Sequence, residues 1–156
     1  MTSGKKTKRL DSIKKAHGQK NPFTTRMEDY LEVISELVEI KGHASPIDIS
    51  NYMHVSPPSV TKMLQRLDSD GFLEYTKYYG LKLTNKGKTL AHDIRQKHSV
   101  LLEFFEIIGV DPTTANNDAE GIEHHLNPKT VKQLRKFTTY LKSDPRLLGS
   151  YDLKNN

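Results

Sequence analysis

Glu120-Gly121-Ile122-Glu123-His124-His125 packs two carboxylates and two imidazoles into six residues, just before the helix-restarting pair Asn127-Pro128. On an α-helix, at about 100° per residue, Glu120, Glu123 and His124 share one arc of about 100° and His125 points well away from it. Three converging oxygen and nitrogen donors suit a divalent cation; a solvated acidic helix face has the same composition, so the remaining ligands decide. Asp29 and Glu32 stand three apart near the start of an earlier helix, on one side of it and amid apolar neighbours. Acids in a first turn are also favoured by the helix dipole alone. His98 lies one turn before Leu101 and Leu102, where a packed, hydrogen-bonded imidazole is the plainer reading. With no cysteine in the chain, thiolate zinc sites and disulfides are excluded, and any metal is held by carboxylate, imidazole, carbonyl or water, which favours a fairly hard cation.

The elements that must position these groups follow from capping residues and apolar spacing. Thr25-Arg26-Met27-Glu28 matches a capping box, after which Tyr30, Leu31, Ile34, Leu37 and Val38 recur at helical spacing until Gly42. Ser45-Pro46 opens a short helix to about Tyr52 that includes Ile47 and Ile49. After the turn His54-Val55, Ser56 caps again, and Pro57-Pro58 begin a helix with the stripe Val60, Met63, Leu64 and Leu67, ended by Gly71. Two short helices so joined are what a helix-turn-helix requires. Phe72-Leu73-Glu74-Tyr75 and Leu81-Lys82-Leu83 alternate as strands about Lys77-Tyr78-Tyr79-Gly80, which makes a β-wing. Thr84 caps a long helix through Leu90, Ile94, Leu101, Leu102 and Phe105 to Gly109, and Asp111-Pro112 and Asn127-Pro128 open two more.

The expected fold is mainly α: an N-terminal winged helix-turn-helix with a two-stranded β-wing (25–84), a long connecting helix (85–109) and a C-terminal all-helical domain (110–142), between tails at 1–24 and 143–156. On the second helix of the motif the apolar stripe faces inward, leaving Ser59, Thr61, Lys62, Gln65 and Arg66 toward solvent or DNA. Lys62 and Arg66 can neutralise phosphates or read guanine, Gln65 can pair with adenine, and Thr61 can touch a thymine methyl or a phosphate. Lys77, Tyr78 and Tyr79 on the wing can grip the backbone or the minor groove, or the tyrosines can pack beneath the wing.

The net charge of +5 supports a nucleic-acid partner only weakly, because residues 1–20 alone carry +6 and the rest of the chain sums to −1. That basic stretch reads as a polar, disordered tail that touches phosphates, serves as a solubilising leader, or is absent if synthesis starts at Met27. No apolar run is long enough to cross a bilayer and the N-terminus has no secretory core, so a cytoplasmic protein without a membrane partner is expected.

Met27-Glu28-Asp29-Tyr30-Leu31-Glu32, Ser59-Val60-Thr61-Lys62-Met63, Lys77-Tyr78-Tyr79-Gly80-Leu81 and Glu120-Gly121-Ile122-Glu123-His124-His125 occur in that order, and together they resemble the diphtheria toxin repressor family over about residues 25–142. The resemblance implies a homodimeric winged-helix repressor of operator DNA, with the helical domain serving dimerisation. It also implies metal ligands at Asp29, Glu32, His98, Glu120, Glu123 and His124, holding two ions per subunit, and no organic cofactor. Iron-responsive members carry methionine at the position of Asp29 and cysteine at that of Glu123, so the oxygen and nitrogen set here favours Mn²⁺, with Cd²⁺ or Co²⁺ able to substitute. The sequence after residue 142 has no match to the SH3-like domain of many iron-responsive relatives, as expected of the shorter manganese-responsive branch. The resemblance supplies no counterpart for the long basic tail, whose role it leaves open.

The implied mechanism is control by co-repressor. Without metal, four converging carboxylates repel, and two divalent ions bring the formal charge of the site from −4 to zero. Closure then sets the two recognition helices of a dimer about 34 Å apart on a palindromic operator, the expected targets of a manganese sensor being uptake genes. Two rivals are weighed against this. A di-metal carboxylate oxidase needs two Glu-x-x-His pairs, and the chain has none, so no enzyme is expected. A winged-helix regulator that senses an organic ligand would bind DNA without metal.

Overall fold

The computed structural model describes residues 9, 11, 12, 22–76, 80–144 and 146. Among the described residues from Pro22 to Ser143, the elements follow one another as α1 (Pro22–Lys41), α2 (Pro46–Met53), α3 (Pro57–Ser69), β1 (Leu73–Thr76), β2 (Gly80–Leu83), α4 (Asn85–Ile107), α5 (Pro112–Ile122), the 3-10 turn Glu123–His125 and α6 (Pro128–Ser143). Arg9, Asp11 and Ser12 are also helical, in the stretch where a disordered tail was expected. Most of both expected tails lies outside the described residues.

Chain punctuation is largely as the capping residues dictate. Ser45 Oγ accepts the Asp48 N–H at 3.1 Å, Thr84 Oγ1 that of Gly87 at 3.2 Å, Asp111 Oδ1 that of Thr114 at 3.1 Å and Asn127 Oδ1 that of Lys129 at 2.9 Å. Two expected caps are corrected. Ser56 makes no side-chain cap to the backbone of α3, because its hydroxyl is 2.9 Å from that of Ser59. Thr25 does not open α1, which starts at Pro22, so the supposed capping-box acid Glu28 sits inside the helix and reaches a partner distant in sequence.

The core of the N-terminal unit forms where α1, α2, α3 and the sheet meet. Tyr30, Leu31 and Ile34 of α1, Ile49 of α2, Val60, Leu64 and Leu67 of α3, and Leu73 and Leu83 of the strands are buried together. Of the apolar residues read in α2, Ile49 turns inward and Ile47 is exposed. His54 adopts a left-handed conformation, φ 53°, and the Val55 carbonyl accepts a 2.6 Å bond from Ser50 Oγ, which fixes the turn between α2 and α3. The antiparallel sheet pairs Leu73 with Leu83 and Tyr75 with Leu81, so one face packs inward while Glu74 and Lys82 pair on the other. The residues of the wing tip, Lys77, Tyr78 and Tyr79, lie outside the described residues.

At the foot of the wing the backbone comes close to α4. A Cβ on Gly87 would lie 2.0 Å from the Phe72 carbonyl oxygen and 3.2 Å from Leu83 Cδ2, so only glycine fits there without movement. Thr84 Oγ1 donates to the carbonyls of Gly71 and Phe72, at 2.8 and 3.0 Å, and locks the same junction. Further along, α4 packs on α1, α5 and α6, and the Arg95 guanidinium bonds Glu39 at 2.6 and 2.9 Å and Ser35 at 3.2 Å. Helix α4 is therefore fastened to α1 on one side and carries α5 and α6 on another, which brings His98 beside the end of α5.

Candidate metal centre and nucleic-acid face

The site is assembled from three segments distant in sequence. Asp29 and Glu32 project from the interior of α1, His98 from the middle of α4, and Glu120, Glu123 and His124 from the last turn of α5 and the 3-10 turn after it. Beyond Ile122 the chain tightens into that 3-10 turn, yet Glu123 keeps helical dihedrals, φ −57° and ψ −38°, and its N–H still bonds the Ala119 carbonyl, so Glu120 and Glu123 stay on one side as their spacing predicted. Glu123 turns fully into the protein, 0% exposed, and His124 faces Asp29 of α1. His125 remains exposed, away from the cluster, as its spacing predicted.

His98, Glu120 and Glu123 each place a donor atom within 4.8 Å of the other two. His98 Nδ1 is 2.7 Å from Glu123 Oε2 and 3.6 Å from Glu120 Oε1. His124 lies on the other side of Glu123, its Nε2 2.9 Å from Asp29 Oδ1 and 3.5 Å from Glu123 Oε1. Glu32 borders a shallow pocket with Asp29, Glu36, Tyr52 and Glu120. The six expected residues thus lie around one centre. The imidazoles pair with Glu123 and Asp29, while Glu32 stays close enough to Glu123 and Glu120 to feel their charge.

Electrostatics mark the same centre. Burial, and then the nearby charges of Glu123 and Glu120, push the Glu32 carboxyl up to about 7. Burial likewise raises Glu123 above the usual carboxylate range, against the opposing pull of His98. Hydrogen bonds to Asp29 and Glu28 carry the His124 imidazole up to about 10 despite its burial. Glu123 Oε1 is buried and makes no hydrogen bond. An acceptor oxygen withdrawn from water and left without a donor is costly, and a cation is the partner its lone pairs lack. The residues present therefore fit a metal: hard and borderline donors, one of them orphaned, with carboxylates held too close together to ionise freely.

Two contacts were missed in the sequence. Glu28 Oε2 is 2.7 Å from His124 Nδ1, and Asn116 Oδ1 is 3.3 Å from His98 Nε2. Asn116 stands four residues before Glu120 and seven before Glu123, a spacing that puts it on the same stripe of α5 and was readable in principle. Glu28 was hidden by its assignment to a cap.

On α3, the spacing argument holds for the core stripe: Val60, Met63, Leu64 and Leu67 are buried, and Ser59, Lys62, Gln65 and Arg66 are exposed. Thr61 is half-buried, and its hydroxyl donates to the Pro57 carbonyl at 3.1 Å, while Arg66 Nε bonds Asp70 at 2.9 Å. Arg26 of α1, not singled out in the sequence, joins Ser59, Lys62 and Arg66 around one surface cleft. The result is a basic rim along the second helix of a helix-turn-helix, the element such folds present to the major groove.

Comparison with known proteins agrees with this arrangement. Residues 22–81 match the family model described as iron dependent repressor, N-terminal DNA binding domain, and residues 84–148 match iron dependent repressor, metal binding and dimerisation domain. The HTH-type transcriptional regulator MntR of Oceanobacillus iheyensis is 45% identical over 121 residues, 78% of this chain and 82% of that protein. MntR of Bacillus subtilis is 46% identical over 121 residues, 78% of this chain and 85% of that protein. Among solved structures, that of the manganese regulator SloR matches with a TM-score of 0.64 at 32% identity, covering 73% of this chain and 54% of that one. This chain thus spans about half of that solved chain.

The chain belongs to the iron dependent repressor family, that of the diphtheria toxin repressor, and so is a metal-dependent DNA-binding transcriptional regulator and not an enzyme. Among the described residues no helix is long and apolar enough to cross a membrane.

Proposed function

We propose that this regulator responds to manganese, with Asp29, Glu32, His98, Glu120, Glu123 and His124 holding two divalent ions per subunit. The observation that carries the reading is the buried Oε1 of Glu123, which makes no hydrogen bond, on a carboxylate set between the two imidazoles and beside the other three carboxylates of the site. When bound, the ions supply the positive charge that balances these carboxylates and links the segments bearing them. The absence of thiolate and thioether donors favours a cation near the hard end of the divalent series. Since Mn²⁺ is among the weaker binders of that series, selectivity rests on geometry and on the number of ions held rather than on affinity.

Asp29 and Glu32 belong to the DNA-binding unit (25–84), His98 to the connector (85–109) and Glu120, Glu123 and His124 to the metal-binding and dimerisation unit (110–142). Ligands divided in this way make the position of α1 relative to α5 depend on occupancy. In a homodimer that position sets the distance between the two α3 helices, and hence the fit to a palindromic operator. Ser59, Thr61, Lys62, Gln65 and Arg66, with Lys77 and Tyr78 of the wing, are the residues assigned to DNA. By linkage, metal and operator strengthen each other by the same factor, about 5–150-fold for a coupling of about 1–3 kcal/mol. Such a regulator works in the cytoplasm, on operators of manganese uptake genes.

Electron paramagnetic resonance of free Mn²⁺ during a titration tests the site. The expected result is two ions bound per chain, with Glu120→Ala losing Mn²⁺ binding and metal-stimulated operator binding while keeping its helical circular dichroism. An unchanged titration of that variant would remove Glu120 from the ligand set.

A further inference from the structure

We propose that Glu28 is a positioning residue for the metal centre, holding the His124 ring so that Nε2, and not Nδ1, faces the metal; the inference rests on the metal-site reading above. Glu28 is 7% exposed and lies in α1, next to Asp29. Its Oε2 is 2.7 Å from His124 Nδ1, across 96 residues of sequence. An imidazole has its two nitrogens on different edges of the ring. With Nδ1–H given to Glu28, only Nε2 remains to face Asp29 Oδ1 at 2.9 Å and the orphaned Glu123 Oε1 at 3.5 Å.

His124 lies in the middle of a one-turn 3-10 segment whose backbone alone does not fix the rotation of the ring. A buried carboxylate on its outer edge does, because turning the ring over would break a charge-assisted bond away from water and leave Glu28 without that partner. A carboxylate that accepts the outer N–H of a coordinating imidazole also makes the inner nitrogen a stronger donor. His98 is arranged on the same plan with its nitrogens exchanged. Its Nε2 is 3.3 Å from the Asn116 amide oxygen, which leaves Nδ1 toward Glu120 and Glu123. The neighbouring acids Glu28 and Asp29 therefore divide their work: Asp29 faces the ion and Glu28 faces the histidine.

The test uses the full chain. Mn²⁺ affinity is measured by calorimetry for the wild type, Glu28→Gln and Glu28→Ala, with circular dichroism to follow folding. In ¹⁵N-histidine-labelled protein loaded with ¹¹³Cd²⁺, nitrogen-cadmium coupling identifies the bound nitrogen of His124. The wild type is expected to couple through Nε2 alone. Glu28→Ala is expected to lose about 10–100-fold in Mn²⁺ affinity and to weaken or divide that coupling. Glu28→Gln, whose amide oxygen still accepts from Nδ1–H, is expected to recover most of the loss. Wild-type coupling through Nδ1, a glutamine variant as impaired as the alanine one, or an alanine variant within about twofold of wild type with its coupling intact would each overturn the proposal. If Glu28→Ala does not fold, the wild-type coupling and the glutamine variant decide. A wild type that binds no Mn²⁺ removes the metal-site reading itself, whereas a wild type that binds and an alanine variant that binds equally well remove only the role of Glu28.

Discussion

Glu123 and His98 meet across the junction of α5 and α4, with Oε2 2.7 Å from Nδ1, while the other carboxylate oxygen of Glu123 is buried without a hydrogen bond. One oxygen therefore anchors the residue and the other is left for a ligand. Glu123→Gln keeps the size and one acceptor but removes the charge. It should lower Mn²⁺ affinity by at least about tenfold, since a charged partner contributes roughly twice what a neutral one does. Because the residue is held back from ionising by its burial, the metal-free variant should be no less stable than the wild type in urea. A calorimetric titration and a urea melt check both statements.

The protonation of the site gives a pH dependence of definite sign. Glu32 titrates at about 7 in the fold against 4.5 for an ordinary glutamate, so in the metal-free protein it destabilises the folded state increasingly as pH rises through that window. His124 is raised from 6.5 to about 10, so its contribution is fully present below 6.5 and is lost as pH rises through 10. Metal-free protein should accordingly melt at lower temperature at pH 9 than at pH 6. Mn²⁺ must displace these protons, so its apparent affinity should rise by at least about tenfold per pH unit between pH 6 and 8, one displaced proton accounting for each tenfold. Calorimetry in buffers of different ionisation enthalpy measures the protons released.

Asp29 Oδ1 lies 2.9 Å from His124 Nε2, where methionine would bring a soft thioether in place of a hard carboxylate. Asp29→Met should let Fe²⁺ activate operator binding more effectively relative to Mn²⁺ at comparable occupancy. Anaerobic anisotropy titrations with each metal measure the ratio, and an unaltered ratio would contradict the role given to this position.

Gly87 is a structural prediction independent of metal. Its missing Cβ makes room for the Phe72 carbonyl, so Gly87→Ala should push the wing away from α4 and cost about 1–3 kcal/mol in a urea melt. Mn²⁺ binding to the folded variant should be retained, since no ligand is on this junction.

How much of this was legible beforehand depended on whether the relevant physics is local. The caps at Ser45, Thr84, Asp111 and Asn127 and the stripe Val60, Met63, Leu64 and Leu67 are set by spacings of three and four residues, and they appear in the fold as read. Of the six residues proposed as ligands, Asp29, Glu32 and His98 were singled out largely through motif resemblance, because nothing local distinguishes them from surface acids and a packed histidine. What was not legible is tertiary: which groups the end of α5 meets, with Glu123 set against His98 of α4 and His124 against Asp29 of α1 after the chain tightens into a 3-10 turn. Glu28 fits a capping pattern, and only the position of a residue 96 places away gives it another task.

The central claim is that metal held between α1, α4 and the end of α5 governs operator binding. It is tested most directly by anisotropy of a labelled operator fragment, with chelator-stripped protein titrated separately with Mn²⁺, Fe²⁺ and Zn²⁺. The account predicts weak binding without metal, about 5–150-fold tightening with Mn²⁺, and a smaller response to Zn²⁺ at equal occupancy. Full-strength operator binding in the presence of chelator, unchanged when Mn²⁺ is added, would contradict it.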